Sequence, residues 1–383
     1  MNIRVKKMAV PVMAVVFGFL AGTVILLFSG RSPLIMFNVF IKGLSGIDFS
    51  HMSFNPRYLG EFFVQLIPIT LAGLSVGFAF RTGLFNIGAE GQFMMGAMGA
   101  TMVALMVKAP FFVHAILCLA GAALMGAIWG AIPGFLKAKF NVHEVVVTIM
   151  FNYIALYVSN WVLLNIVKTL DKVKTAPFPE TALLKSEFLS NITRFSRLNW
   201  GIIIVLVAVL LYWFLIEKTS FGFGLRAVGF NSHAARHAGM PVERNMVLSM
   251  AISGAFAALG GAAVAMGTFG FGRVLSAFEG YGFDGIAVAL VGGNSAAGIL
   301  ASGGLFAMLK ASQPLLQSQG VPREVVGIIQ ALIVMFVAMK LGIEYVLDRL
   351  GRRENASSAE EDTKKEDNSL HDTEELKKTE TEK

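Results

Sequence analysis

Two apolar stretches of the chain carry side chains that hydrocarbon does not tolerate alone. GLFNIGAEGQFMMGAMGA (Gly83–Ala100) holds Asn86, Glu90 and Gln92, and GYGFDGIAVALVGGNSAAG (Gly280–Gly298) holds Asp284 and Asn294. A carboxylate within a membrane span is costly, so it faces the bundle interior or a water-filled path. Glu90 and Asp284 are therefore candidates for a pathway or gate. Hydrogen bonding to neighbouring backbone, or a position at the membrane surface, is the alternative. The glycines of the first stretch also allow close helix packing. A third stretch, EVVVTIMFNYIALYVSNWVLLNIV (Glu144–Val167), adds Asn152 and Asn160 beside Tyr153, Tyr157 and Trp161. Amide edges and aromatic faces suit a flat polar ring system. The same residues would serve equally as interhelical contacts and interfacial aromatics.

Bond-making motifs are missing. There is no Gly-Lys dipeptide, so no phosphate-binding P-loop, and Val147 stands where a zinc-protease motif begun by His143-Glu144 needs its second His. Gly222, Gly224 and Ala227 meet the loose G-x-G-x-x-G/A pattern without a preceding buried strand or a following acidic residue. Asn191-Ile192-Thr193 matches a glycosylation acceptor, a short pattern that a bacterial-type membrane protein ignores. No catalytic residue, metal site or cofactor is expected.

A different kind of stretch lies at TSFGFGLRAVGFNSHAARHAG (Thr219–Gly239). With Lys218 it is basic and polar, yet it separates the apolar runs Gly201–Ile216 and Met246–Met266. Its second half reads as a short helix: Asn231 or Ser232 caps the start, Gly239 takes the left-handed closing position, and Pro241 forbids continuation. Ala234, Ala235 and Ala238 give that helix a small face. A small-faced helix with basic flanks fits a groove on another protein; an ordinary basic cytoplasmic loop is the plainer reading.

The elements that must hold these residues follow from composition. Of 383 residues 55% are hydrophobic and 15% charged, with a mean hydropathy of +0.66, which marks an integral membrane protein. The net charge of +7 hides two populations: Glu354–Lys383 holds 11 acidic and 5 basic residues, leaving 27 basic against 14 acidic in the body. That excess belongs in loops facing anionic lipid and does not argue for nucleic acid. Cys118, alone in its type, excludes an intramolecular disulfide and reads as an inert core residue. Arg4, Lys6 and Lys7 precede an uncharged run, Met8–Ser29, long enough to cross a bilayer and too long for a cleaved signal peptide. Residues 31–60 read as a polar external segment. Further spans are expected at about 61–80, 84–107, 111–135, 144–167, 201–216, 246–269, 284–311 and 324–347. Two features fit badly. The segment 168–200 falls outside although it holds six basic residues. An odd number of crossings also puts the C-terminus outside, against Arg349, Arg352 and Arg353. Breaking 84–107 or 270–311 into half-spans, or a re-entrant piece, restores parity. The expected fold is an all-α polytopic membrane protein of about ten transmembrane segments, at least one of them broken. Residues 1–348 form the membrane domain, with a cytoplasmic loop at 217–245, and 349–383 form a disordered charged tail.

Taken together and in order, GLFNIGAEGQFMMGA, NVHEVVVTIMFNYIA, FGFGLRAVGFNSHAARHAGM, MAISGAFAALGGA and GYGFDGIAVALVGGNSAAGIL resemble the permeases of bacterial ABC importers for branched-chain amino acids, simple sugars and nucleosides. The resemblance covers about Leu59 to Leu347 and is strongest to the nucleoside branch, the one partnered by basic-membrane-protein lipoproteins. His143 is a small departure where that branch is expected to have Asn. The resemblance implies that the basic stretch is a coupling helix docking on an ATPase subunit, through Arg226, Ala227, Gly229, Ala234, Ala235 and Gly239. It implies a substrate route near Asn86, Glu90 and Asn152, two cytoplasmic ATPase subunits, an extracytoplasmic substrate-binding lipoprotein and a second permease, a copy or a paralogue. A ribose-type sugar permease and, in a different class, an ion-coupled secondary transporter using Glu90 and Asp284 are the rivals.

Overall fold

The computed structural model describes residues 3–339 apart from 29, 50, 51 and 323. The charged tail at 349–383, and the last residues of the span expected at 324–347, lie outside the described residues. The described chain is mostly α-helical, and its named strands form one short antiparallel hairpin, β1 (Ile47–Asp48) with β2 (Ser53–Phe54). In order the helices are α1 (Ile3–Phe28), α2 (Pro33–Ser45), α3 (Pro56–Phe80), α4 (Ala89–Met106), α5 (Phe111–Phe140), α6 (Glu144–Val162) and α7 (Glu187–Ile192). There follow α8 (Gly201–Trp213), α9 (Ser220–Phe230), α10 (Ser232–His237), α11 (Val242–Ala263), α12 (Tyr281–Val291), α13 (Ala296–Ser318) and α14 (Glu324–Ala338). Helices α6, α8 and α11 each run on through a π turn, at Leu163–Val167, Phe214–Lys218 and Val264–Phe269. With these extensions, six helices are long and apolar enough to cross a membrane: 56–80, 112–140, 144–167, 201–218, 242–269 and 296–318.

Helix α3 is the central post. From Leu66 to Ala79 every side chain is buried, because α8, α11, α12 and α13 surround it. Its apolar surface is therefore continuous rather than a stripe. The outer helices look different. Phe112 and Leu124 on α5 and Leu206 and Leu210 on α8 are exposed, as lipid-facing side chains are. Helices α5 and α11 cross with their backbones in contact. A Cβ on Gly254 would collide with the Gly126 carbonyl, so only glycine allows this backbone-to-backbone contact.

Of the two places where a broken span was expected, 270–311 is the divided one, and three other expectations change. The span expected at 284–311 is two helices, α12 and α13, separated by a turn in which Gly293 (φ 59°) and Asn294 (φ 54°) are left-handed. In the 84–107 segment, residues 84–88 are non-helical before α4 begins. The polar external segment 31–60 contains α2, whose Met36, Val39 and Phe40 join the main core; its polar residues cluster only after Lys42. The loop 217–245 holds two capped helices, not one. The segment 168–200 lies over the end of α11 and the non-helical residues 270–280. Thr175 and Phe178 donate to the carbonyls of Gly272 and Gly270, at 2.9 and 2.8 Å.

Candidate translocation path and docking helices

The start of α4 and the start of α12 meet inside the bundle. Glu90, in the first turn of α4, is fully buried, and its carboxylate accepts from the backbone N–H groups of Glu279 (2.8 Å), Gly280 (2.8 Å) and Gly282 (2.6 Å). Helix N-termini leave such N–H groups without intrahelical partners and carry partial positive charge. Glu90 supplies both the acceptors and the opposite charge. Gly282 lets the chains approach, since a Cβ there would strike the Glu90 backbone.

Asparagines of α6 hold the non-helical stretches that lead into these two helices. Asn152 accepts from Gly91 N–H at 2.8 Å and donates to the Ile87 carbonyl at 3.0 Å. Two turns on, Asn160 clamps Leu275 in both directions, at 2.7 and 2.9 Å. Backbone that leaves helical geometry at membrane depth must find partners within the protein, and these amides provide them. Asn86 donates to Gln92 (2.8 Å) and to Ser253 on α11 (2.7 Å), and Ser253 donates in turn to the Ser75 carbonyl on α3 (2.7 Å). The structure thus brings Asn86, Glu90, Gln92 and Asn152 into one region, each at most 1% exposed and hydrogen-bonded within the chain.

The other three sequence candidates lie apart from that region. Asp284 pairs with Lys310 of α13 at 2.6 Å, both side chains about one-fifth exposed. The Lys310 ammonium sits 4.0 Å from the centre of the Tyr281 ring, which stacks on Phe93 and donates from its hydroxyl to Gln65 (3.3 Å). Tyr153 is half exposed on α6 and meets Phe278 edge-on at 5.0 Å. Asn294 lies in the α12–α13 turn, at the end of α12 opposite Glu90. Its carbonyl accepts from Arg81 Nε (2.9 Å) and the Tyr212 hydroxyl (2.8 Å), while its buried Oδ1 has no partner.

On the face where Arg81 lies, Thr219 caps α9 by accepting from Gly222 N–H (3.0 Å), and Asn231 caps α10 by accepting from Ala234 N–H (3.0 Å). Gly239 closes α10 at φ 79°. Glu217 joins two arginines, Arg81 at 2.7 Å and Arg226 at 2.6 Å, and so ties α9 to the end of α3. Gly229 packs on the turn at residues 81–83, where a Cβ would lie 2.5 Å from the Arg81 carbonyl oxygen. Ala227 beside it is partly covered. The small face of α10 is narrower than the sequence implies. Ala235 is 4% exposed and packs with Val228 and Val242 of the same chain, leaving Ala234 and Ala238 exposed. Phe230, between the two helices, is 92% exposed.

Sequence reasoning passed over Lys310, Gln65, Glu217 and Arg81 as site residues. Lys310 had a signal, a lone charge in the apolar run LFAMLKAS; the pairing of Glu217 with Arg81, 136 positions away, had none.

Residues 58–338 match the family model described as "Branched-chain amino acid transport system / permease component", and the chain belongs to that family. It is a multi-pass cell-membrane component of an ABC transporter, and as a permease it is not an enzyme; ATP hydrolysis falls to separate subunits. It is similar to the guanosine ABC transporter permease protein NupP of Bacillus subtilis, 46% identical over 91% of this chain and 98% of that one. The nucleoside ABC transporter permease protein NupB of Lactococcus lactis is 35% identical over 95% of this chain and 99% of that protein. The glucose ABC transporter permease protein TsgB13 of Haloferax volcanii is 33% identical over 80% of this chain and 83% of its own length.

Proposed function

We propose that the chain is the permease subunit of a bacterial ABC importer for nucleosides, purine nucleosides first and pyrimidine nucleosides second. The observation that carries this reading is the end-to-end similarity, at 46% and 35% identity, to two permeases named for guanosine and nucleoside transport. A sugar permease is the second reading, favoured by the similarity to the glucose permease.

In the proposed arrangement α1, α3, α4, α5, α6, α8, α11, α13 and α14 each count as one crossing, and α12 with the non-helical residues 270–280 before it makes the tenth. Splitting 284–311 into α12 and α13 supplies the even number. It puts the basic clusters Arg4–Lys7 and Arg349–Arg353 on the same, cytoplasmic side, as the positive-inside bias requires. Residues 1–348 make the permease domain in this reading, and 349–383 a charged cytoplasmic tail. Helices α9 and α10 dock on an ATPase subunit through Arg226, Ala227, Gly229, Ala234 and Gly239, with Ala235 holding α10 against the chain. A second permease, copy or paralogue, completes the path, and a substrate-binding lipoprotein delivers the solute to the outer mouth. Asp284 and Tyr153 border the route. Asn86, Glu90, Gln92 and Asn152 fix its wall, and Asn294 shapes its inner end.

Uptake of labelled guanosine in cells with and without the gene tests this reading, with ribose, leucine and other nucleosides as competitors. Guanosine uptake is expected to fall on deletion and to be blocked only by nucleosides. Unchanged guanosine uptake with sugar uptake lost would replace the nucleoside by a sugar.

A further inference from the structure

The outer half of the bundle carries a polar stripe that no packing role explains. It begins at Glu61, in the second turn of α3, whose carboxylate pairs with Arg197 at 2.7 Å. One turn deeper, Gln65 accepts from the Tyr281 hydroxyl, and one turn along α12 lies Asp284 with its Lys310 partner. Tyr281 joins the two ends, its hydroxyl on Gln65 and its ring 4.0 Å from the Lys310 ammonium. Gln65 is nine residues past the start of α3, about 13 Å from that end at 1.5 Å per residue. Lys310 is fourteen residues past the start of α13, about 21 Å from the opposite end. The stripe therefore descends from one surface well into the depth of the bilayer.

An ion pair at that depth does not face lipid. Yet Asp284 and Lys310 keep about one-fifth of their side-chain surface open, unlike the fully buried Glu90. That open surface, on a stripe that runs to the end of the bundle, suits contact with water or a polar solute. We propose that the α3–α12–α13 face bearing Gln65, Tyr281, Asp284 and Lys310 is the outer section of the translocation path, and that it takes the hydroxyl-bearing ring of an uncharged solute. The chemistry fits. A carboxylate and an amide oxygen accept from hydroxyls, an ammonium donates to them, and the paired charges cancel, so the stripe neither attracts nor traps an ion. In a nucleoside the interacting part is the ribose. The ligand assignment rests on the nucleoside reading; the location of the path does not.

Cysteine reactivity in the assembled transporter tests the location. The native Cys118 is buried and gives little background. A thiol facing water ionises and reacts with a charged, membrane-impermeant methanethiosulfonate, whereas one in hydrocarbon stays protonated and inert. Gln65→Cys is expected to react at least about tenfold faster than Leu210→Cys, which is exposed on the lipid-facing side of α8, and to be protected by saturating guanosine. As a second measurement, Asp284→Asn combined with Lys310→Met, present at normal membrane levels, is expected to lower the maximal uptake rate about tenfold. Equal reactivity of the two cysteines while uptake persists would overturn the proposal and place this face against lipid or another subunit. Failure of wild-type guanosine uptake, measured beforehand, would sink only the nucleoside assignment. Labelling protected by a free sugar instead would keep the path and change its solute.

Discussion

Replacing Glu90 by glutamine separates a helix cap from a pathway residue. The carboxylate serves three amide donors with two oxygens, Oε1 taking Glu279 and Gly280 and Oε2 taking Gly282. In the best orientation of Glu90→Gln the carbonyl oxygen keeps the pair and the NH2 group faces Gly282 N–H, donor against donor. One buried donor without a partner costs about 1–3 kcal/mol. Loss of the negative charge at the α12 N-terminus removes about 0.3–2 kcal/mol more. The sum, about 1–5 kcal/mol, is large against the marginal stability of a folded chain. Thermal unfolding of the purified protein in detergent, followed by intrinsic fluorescence, is the assay. The unfolding temperature is expected to fall by several degrees, with uptake per folded molecule largely kept. An unchanged unfolding temperature together with abolished uptake would refute this reasoning and return Glu90 to the solute's route.

Three further substitutions probe other contacts. Ala235→Glu buries a carboxylate against Val228 and Val242, so it is expected to lower the amount of folded protein in the membrane, whereas Ala234→Glu, on the exposed side of α10, is expected to leave that amount unchanged and abolish uptake; quantitative immunoblots of membranes beside uptake rates distinguish the two. Gly254→Leu forces α11 away from the Gly126 carbonyl and is expected to prevent accumulation of the protein altogether, as measured by membrane-fraction immunoblot.

The helical class was legible because apolar runs of bilayer length have no soluble alternative. The caps of α10 were legible because Asn231, Gly239 and Pro241 act locally. The division of 284–311 was only half visible. Gly292, Gly293 and Asn294 announce a turn, but hydropathy stays high on both sides and masks it. For Glu90 the sequence left a pathway role and backbone hydrogen bonding both open. A buried carboxylate looks alike in sequence whether it meets a solute or three backbone amides, and these amides come from 189 or more residues away. The inward face of Ala235 was hidden for the same reason, since Val228 and Val242 become its neighbours only once α9 folds back.

The Asn294 carbonyl joins Arg81 and Tyr212 at one end of α12, while Glu90 grips the other end. Glu217 links Arg81 to Arg226 on α9. These bonds form a linkage in the mechanical sense. If docking on an ATPase subunit displaces α9 as proposed, these bonds would hand the displacement to Arg81, from Arg81 to the foot of α12, and along its 11 residues, about 16 Å, to the buried seat where Glu90 holds its head.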